Sequence, residues 1–145
     1  MAFRFPLATV LRVRETIEKR EERALQKVQL EVALVTRQIE ELDVRILKAQ
    51  DAREEALKQS IHAVHLQSML EEIQAAGDLK NNLLDSLQKL ELRREQQVKL
   101  YQIAHRDREM LTDMQHQQRD AYEIERARAQ QKTLDDIFMA RHHRR

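Results

Sequence analysis

The 145-residue chain has no cysteine, no tryptophan, one proline and one glycine, and only 3% of its residues are aromatic. Tight turns need glycine and proline, so Gly77 and Pro6 alone cannot turn the corners of a sandwich, a barrel or a doubly wound sheet. One glycine also cannot build a Walker loop or a dinucleotide fingerprint, which removes intrinsic nucleotide hydrolysis. Without thiols there is no disulfide, zinc knuckle or cysteine nucleophile, a usage that fits a cytosolic protein. No apolar run approaches the roughly 20 residues of a membrane span. The start, residues 1–7, lacks the continuous apolar core of a secretory signal.

What is present points one way. Ala, Glu, Lys, Leu and Arg make up about half of the chain, and 35% of it is charged, the composition of long helices and coiled coils. A hydrophobic content of 41% with abundant leucine separates it from disordered chains of similar charge. The expected fold is all-α, a long antiparallel two-helix coiled-coil hairpin filling residues 1–145 as a single domain.

Pro6 marks the opening of the first helix, where the first N–H groups lack partners anyway. Leu25, Val28, Val32, Val35, Ile39, Leu42, Ile46 and Ala49 then follow at 3-4-3-4-3-4-3 spacing, a coiled-coil seam able to pair within the chain or with a second chain. Glu15/Lys19, Glu41/Arg45 and Glu54/Lys58 set an acid four residues ahead of a base. A second amphipathic segment opens with Leu66, Met69, Leu70 and Ile73 and continues through Leu83, Leu87 and Leu90. Beyond Leu90 the seam weakens to Gln97, Tyr101, Ala104, Leu111, Gln118 and Tyr122, while Ile103, Met110, Met114 and Ile124 occupy a neighbouring face. Two accounts fit this: a helix that meets more than one partner, or a seam that drifts.

Two places suit the chain reversal. At 59–65, Ser60 is a candidate cap among indifferent helix formers; at Gly77 and Asp78, a left-handed C-cap would precede an N-cap. The first is preferred. It gives a helix over 7–58, a turn over 59–65, a long helix over 66–140 and a basic tail over 141–145. A hairpin of this kind encloses no pocket, so function must come from surfaces along its length.

The net charge of +1 conceals an uneven distribution. Residues 1–58 hold 12 basic against 11 acidic side chains, 59–92 hold 2 against 5, and 93–145 hold 12 against 9. The hairpin therefore has a mildly acidic tip and a basic end closing on Arg141, His142, His143, Arg144 and Arg145. A nucleic-acid surface would need a continuous basic stripe with interleaved aromatics, and Asp107, Asp113, Asp120, Asp135 and Asp136 interrupt this one, so no nucleic acid is expected.

Other chemistry is weakly represented. His62 and His65 could share a helix face as metal ligands, but two histidines without a third ligand read as surface residues. Neighbouring carboxylates such as Glu40/Glu41 and Glu54/Glu55 point apart on a helix, with no cleft to shift their pKa values. Met69, Met110, Met114 and Met139 suit adaptable contacts with varied clients, but flexible filler at a helix interface is the preferred reading. No catalytic residue, cofactor or metal is expected, and the protein is not read as an enzyme.

The ends carry a more specific signal. The start from Phe3 through Pro6, Leu7, Leu11 and Arg14 into a charged helix resembles the opening of the flagellar export protein FliJ family. Arg94, Gln97, Tyr101, Ala104, Arg108 and Leu111 are similar to the middle of that family's second helix, and Gln130 to Ile137, with Leu134, Asp135 and Asp136, resembles its closing block. The resemblance covers essentially the whole chain. It implies a cytoplasmic component of the flagellar type III export apparatus, peripherally associated with the inner membrane at the flagellar base only through that apparatus. It further implies a stalk that promotes assembly and activity of the export ATPase FliI, with its regulator FliH, and that engages the export gate protein FlhA and substrate-specific export chaperones. By place on the hairpin, the ATPase-facing candidates are Phe3, Phe5, Leu7, Arg14, Arg126, Arg128, Leu134, Phe138 and Arg141. The gate-facing candidates are Ile46, Ala49, Arg53, Leu66, Met69, Leu70 and Ile73. The alternatives are the stalk of a virulence-type secretion ATPase and a stand-alone coiled-coil scaffold with no ATPase partner.

Overall fold

The computed structural model describes residues 2–144. It contains two helices, α1 over Ala8–Leu57 and α2 over Ala63–His143, and no strand among the described residues. They pack against each other as an all-α hairpin. The contacts fall into two units, residues 22–100 and a second made of residues 2–21 with 101–144.

Pro6 sits just ahead of α1, within a turn closed by the Ala8 N–H donating to the Phe5 carbonyl at 3.1 Å. The ring fixes φ at a value suited to that turn, and the first helical bond follows from Leu11 N–H to the Leu7 carbonyl at 2.9 Å. The end of α1 tightens: Lys58 and Gln59 donate to the carbonyls of Glu55 and Ala56, three residues back. The chain reverses over 58–62, and α2 starts three residues earlier than the sequence suggests. His62 rather than Ser60 holds the capping position, its carbonyl accepting from His65 at 3.0 Å and Leu66 at 3.2 Å. Ser60 lies three residues before the helix and two before the capping residue, too far back to reach the first free N–H groups.

Gly77 is not a reversal point. It sits inside α2 with no positive φ, and a Cβ built on it would meet nothing within 4 Å. Around it a continuous amphipathic pattern outweighs the helix-weakening cost of one glycine, about 1 kcal/mol. At the other end α2 runs through Arg141, His142 and His143, so these residues form its last turn rather than a tail. The positive charge of Arg141 there favours the carbonyl end of the helix. Arg145 lies outside the described residues.

In the 22–100 unit the α1 seam turns to α2. Val28, Ile39 and Leu42 are buried, and Leu25, Val32, Val35, Ile46 and Ala49 are half-buried. Ion pairs across the helices follow the antiparallel register: Glu31 with Arg93 at 3.7 Å, then Asp43 with Lys80. Each buried aliphatic side chain contributes on the order of 1.5–3 kcal/mol. Two expected helix-surface pairs form differently: Glu41 meets Arg37 at 3.3 Å rather than Arg45, and Lys58 meets Glu55 at 3.3 Å rather than Glu54.

Candidate functional site

The unit holding both chain ends is built on a different principle. Continuing the seam spacing backward from Leu25 passes through Glu21, Glu18, Arg14 and Leu11. Only the last is apolar, and it is buried together with Phe5 from the turn and Ala104 from α2. Where apolar layers would otherwise stand, charges meet across the two helices. Arg108 Nε donates to Glu18 Oε2 at 2.6 Å and its Nη2 donates to Oε1 at 3.4 Å, a two-pronged grip on one carboxylate. Arg14 Nη1 donates to Asp107 Oδ2 at 3.5 Å.

His105 sits beside this grip, with Nδ1 3.7 Å from Glu18 Oε1 and Nε2 3.5 Å from Glu109 Oε2, and its ring stacks on Tyr101 at 5.9 Å between centroids. The Arg108 guanidinium, donating its hydrogen bond, holds the Glu18 carboxyl below the usual carboxylate range despite partial burial. Glu18 in turn holds Arg108 above its ordinary value, assisted by Glu109 and Glu15. The ionised Glu18–Arg108 pair, joined by two hydrogen bonds, orients the two helices against each other.

The line Arg94, Gln97, Tyr101, Ala104, Arg108, Leu111 is therefore the face of α2 turned toward α1, each residue buried or half-buried. The seam does not move onto the neighbouring face: Ile103, Met110, Met114 and Ile124 remain 38–59% exposed. Gln118 is exposed as well, and Tyr122 meets the Phe3 ring at 5.6 Å.

Past Tyr122, no other helix among the described residues accompanies α2. Every residue from 123 to 144 is exposed, including Leu134 at 61% and Phe138 at 72%, with Ile137 and Met139 beside them. Local pairs support this stretch: Arg119 with Glu123 at 3.7 Å, and Gln131 Nε2 donating to Asp135 Oδ1 at 3.1 Å.

The family comparison speaks to this arrangement as a whole. A family model described as flagellar FliJ protein matches residues 3–145. The chain belongs to the flagellar FliJ protein family. It is thus a coiled-coil protein associated with flagellar protein export. No curated protein and no solved structure matched the chain.

All nine ATPase-facing candidates of this FliJ-family chain lie in the unit with both ends. Phe5 is buried, Phe3 and Leu7 are half-buried and Arg14 is committed to Asp107, whereas Arg126, Arg128, Leu134, Phe138 and Arg141 are open. The gate-facing candidates all lie in the other unit. Ile46, Ala49, Leu66, Met69 and Ile73 are half-buried and only Leu70 is exposed, at 43%. Arg53 is half-buried, its Nε covered and without a hydrogen-bond partner. Glu18, His105 and Asp107 were not joined by sequence reasoning, because the seam was traced through apolar residues; the 3-4 spacing extended N-terminal of Leu25 passes directly through Glu18.

The histidines His62 and His65 bring their rings to 6.4 Å, and among the described residues no group of three His, Cys, Asp or Glu side chains is placed to hold a metal ion. No helix among the described residues is long and apolar enough to cross a membrane.

Proposed function

We propose that this FliJ-family protein acts as a coiled-coil stalk of the export machinery, promoting assembly and activity of the export ATPase FliI and linking it to the gate protein FlhA and to substrate–chaperone complexes. The observation that carries this reading is the companionless stretch of α2 over 123–144. It offers apolar Leu134, Ile137 and Phe138 with Arg126, Arg128 and Arg141, in the unit that also holds Phe3 and Phe5. A single helix with exposed apolar side chains gains stability mainly by packing against something else. An asymmetric two-helix body inside a six-fold ring meets its subunits unequally, and that inequality biases the nucleotide sites in turn. FliH and the gate would then bring the protein to the cytoplasmic side of the inner membrane at the flagellar base.

The test is to add the purified protein to the matching ATPase and follow hydrolysis and ring formation, then repeat a pull-down with residues 1–14 and 126–145 removed. Stimulation that disappears on truncation supports the stalk. Unchanged hydrolysis and ring formation with both proteins folded, or binding that survives both truncations, overturns it.

A further inference from the structure

The face of α1 turned away from α2 in the 22–100 unit has a pattern of its own. Arg23, Lys27, Leu30, Leu34, Arg37, Glu41, Val44, Lys48, Asp51 and Glu55 follow one another at alternating spacings of four and three, and every one of them is exposed. Leu30, Leu34 and Val44 are 72%, 59% and 51% exposed, large apolar side chains in the middle of a charged stripe. The stripe has the spacing of a coiled-coil seam, with apolar residues at three of its ten positions, on a helix whose first seam is already occupied.

Its charges are arranged in mirror order: basic at the N-terminal end, acidic at the C-terminal end, with an Arg37–Glu41 pair at the centre, already 3.3 Å apart within the helix. Laid antiparallel against a copy of itself about that centre, the stripe sets Arg37 against Glu41, Leu34 against Val44, Lys27 against Asp51 and Arg23 against Glu55, each contact occurring twice. Leu30 falls on the aliphatic stem of Lys48, and alongside the seam Leu47, 60% exposed, falls near Ala33. Glu40 of the two copies approach near the axis, where each Arg37 also reaches them. The parallel arrangement would instead set Arg37 against Arg37, Glu41 against Glu41 and Lys27 against Lys27, so repulsion selects the antiparallel one.

We propose that this outer stripe of α1 is a self-association surface, on which a second copy of the chain docks antiparallel about the Arg37–Glu41 centre. With three apolar residues among ten, the dimer is weak and reversible, and much of its attraction is electrostatic and screened by salt. The proposal stands apart from the stalk reading, since it uses neither the companionless end of α2 nor any ATPase.

The test is sedimentation velocity of the full-length protein over a range of concentrations. Wild type should show a concentration-dependent monomer–dimer equilibrium that weakens as salt rises. Arg37→Glu and Glu41→Arg each create two like-charge contacts and should raise the dissociation constant about tenfold. Mixed in equal amounts, the two variants regain complementary charges at both contacts and should form a heterodimer. That recovery cannot come from the lost intrahelical pair, which stays broken in both chains. Because the chain has no cysteine, Leu34→Cys and Val44→Cys introduce single thiols; oxidation should join the two variants to each other and neither to itself. A wild-type chain monomeric at every concentration, a dimer indifferent to both charge reversals, or Leu34→Cys cross-linking to itself would each overturn the proposal.

Discussion

Arg108 and Glu18, ninety residues apart in sequence, meet through two hydrogen bonds from one guanidinium to one carboxylate, the shorter at 2.6 Å. Both side chains are about four-fifths covered. The pair occupies the place of an apolar layer in the helix interface, so it fixes which residue of α2 stands opposite which residue of α1. A leucine layer tolerates a slip of register; a two-pronged ionic contact does not.

Removing one partner should therefore cost more than an exposed ion pair does. Arg108→Met or Glu18→Gln is expected to lower the unfolding free energy by about 1–2 kcal/mol, measured by urea titration of the helical circular dichroism signal. The exchange of both residues, Glu18→Arg with Arg108→Glu, should recover part of the loss. No recovery would mean that the neighbours Glu15, His105 and Glu109, rather than the pair itself, set the local energetics.

Acid should weaken the same contact. The carboxyl of Glu18 is held below its ordinary value by the hydrogen bond from Arg108, so the pair's stabilisation is complete above the normal carboxylate pKa. It disappears as pH falls below that ordinary value and through the lowered one. Thermal unfolding of wild type and Glu18→Gln across acid pH should show the gap between them closing as pH drops. Curves that fall in parallel would assign the acid sensitivity to other carboxylates.

Gly77 offers the opposite result. It is helical, has no positive φ, and the space where a Cβ would point is open. Gly77→Ala should stabilise the protein by about 0.5–1 kcal/mol, by narrowing the unfolded ensemble without straining the native one. A drop in melting temperature would indicate that the close backbone at this position serves a contact outside the chain.

Deleting residues 126–145 should leave the cooperative melting transition where it is, because residues 126–144 are exposed throughout. The helical signal should shrink in proportion to the residues lost. A lowered midpoint would show that the segment folds back on the rest of the chain.

The part of the fold that was legible in the sequence is the part held by apolar periodicity. Val28, Ile39 and Leu42 sit at seam positions and are buried as their spacing requires. Legibility failed where polar residues take over the same spacing. Arg14, Glu18 and Glu21 continue the seam with no hydrophobic signal, and their complements Asp107 and Arg108 are unremarkable members of a charged helix until α1 lies beside them. The reversal was harder still: its cap is the carbonyl of His62, a backbone group that any residue could supply, so Ser60 misled. Gly77 looked like a stop because a lone glycine usually marks one, yet its surroundings continue the helix.

Even the best-covered core residues, Leu11 and Ala104, keep 6% of their surface open to solvent. Packing one layer deep gives each layer only its immediate neighbours to lean on, so energetic damage stays near the substitution that causes it. Substitutions more than about 10 Å apart should add nearly independently, and adaptation at one stretch of the surface can proceed with little penalty at the next. A globular core would spread each change among many residues; a hairpin of this kind evolves segment by segment.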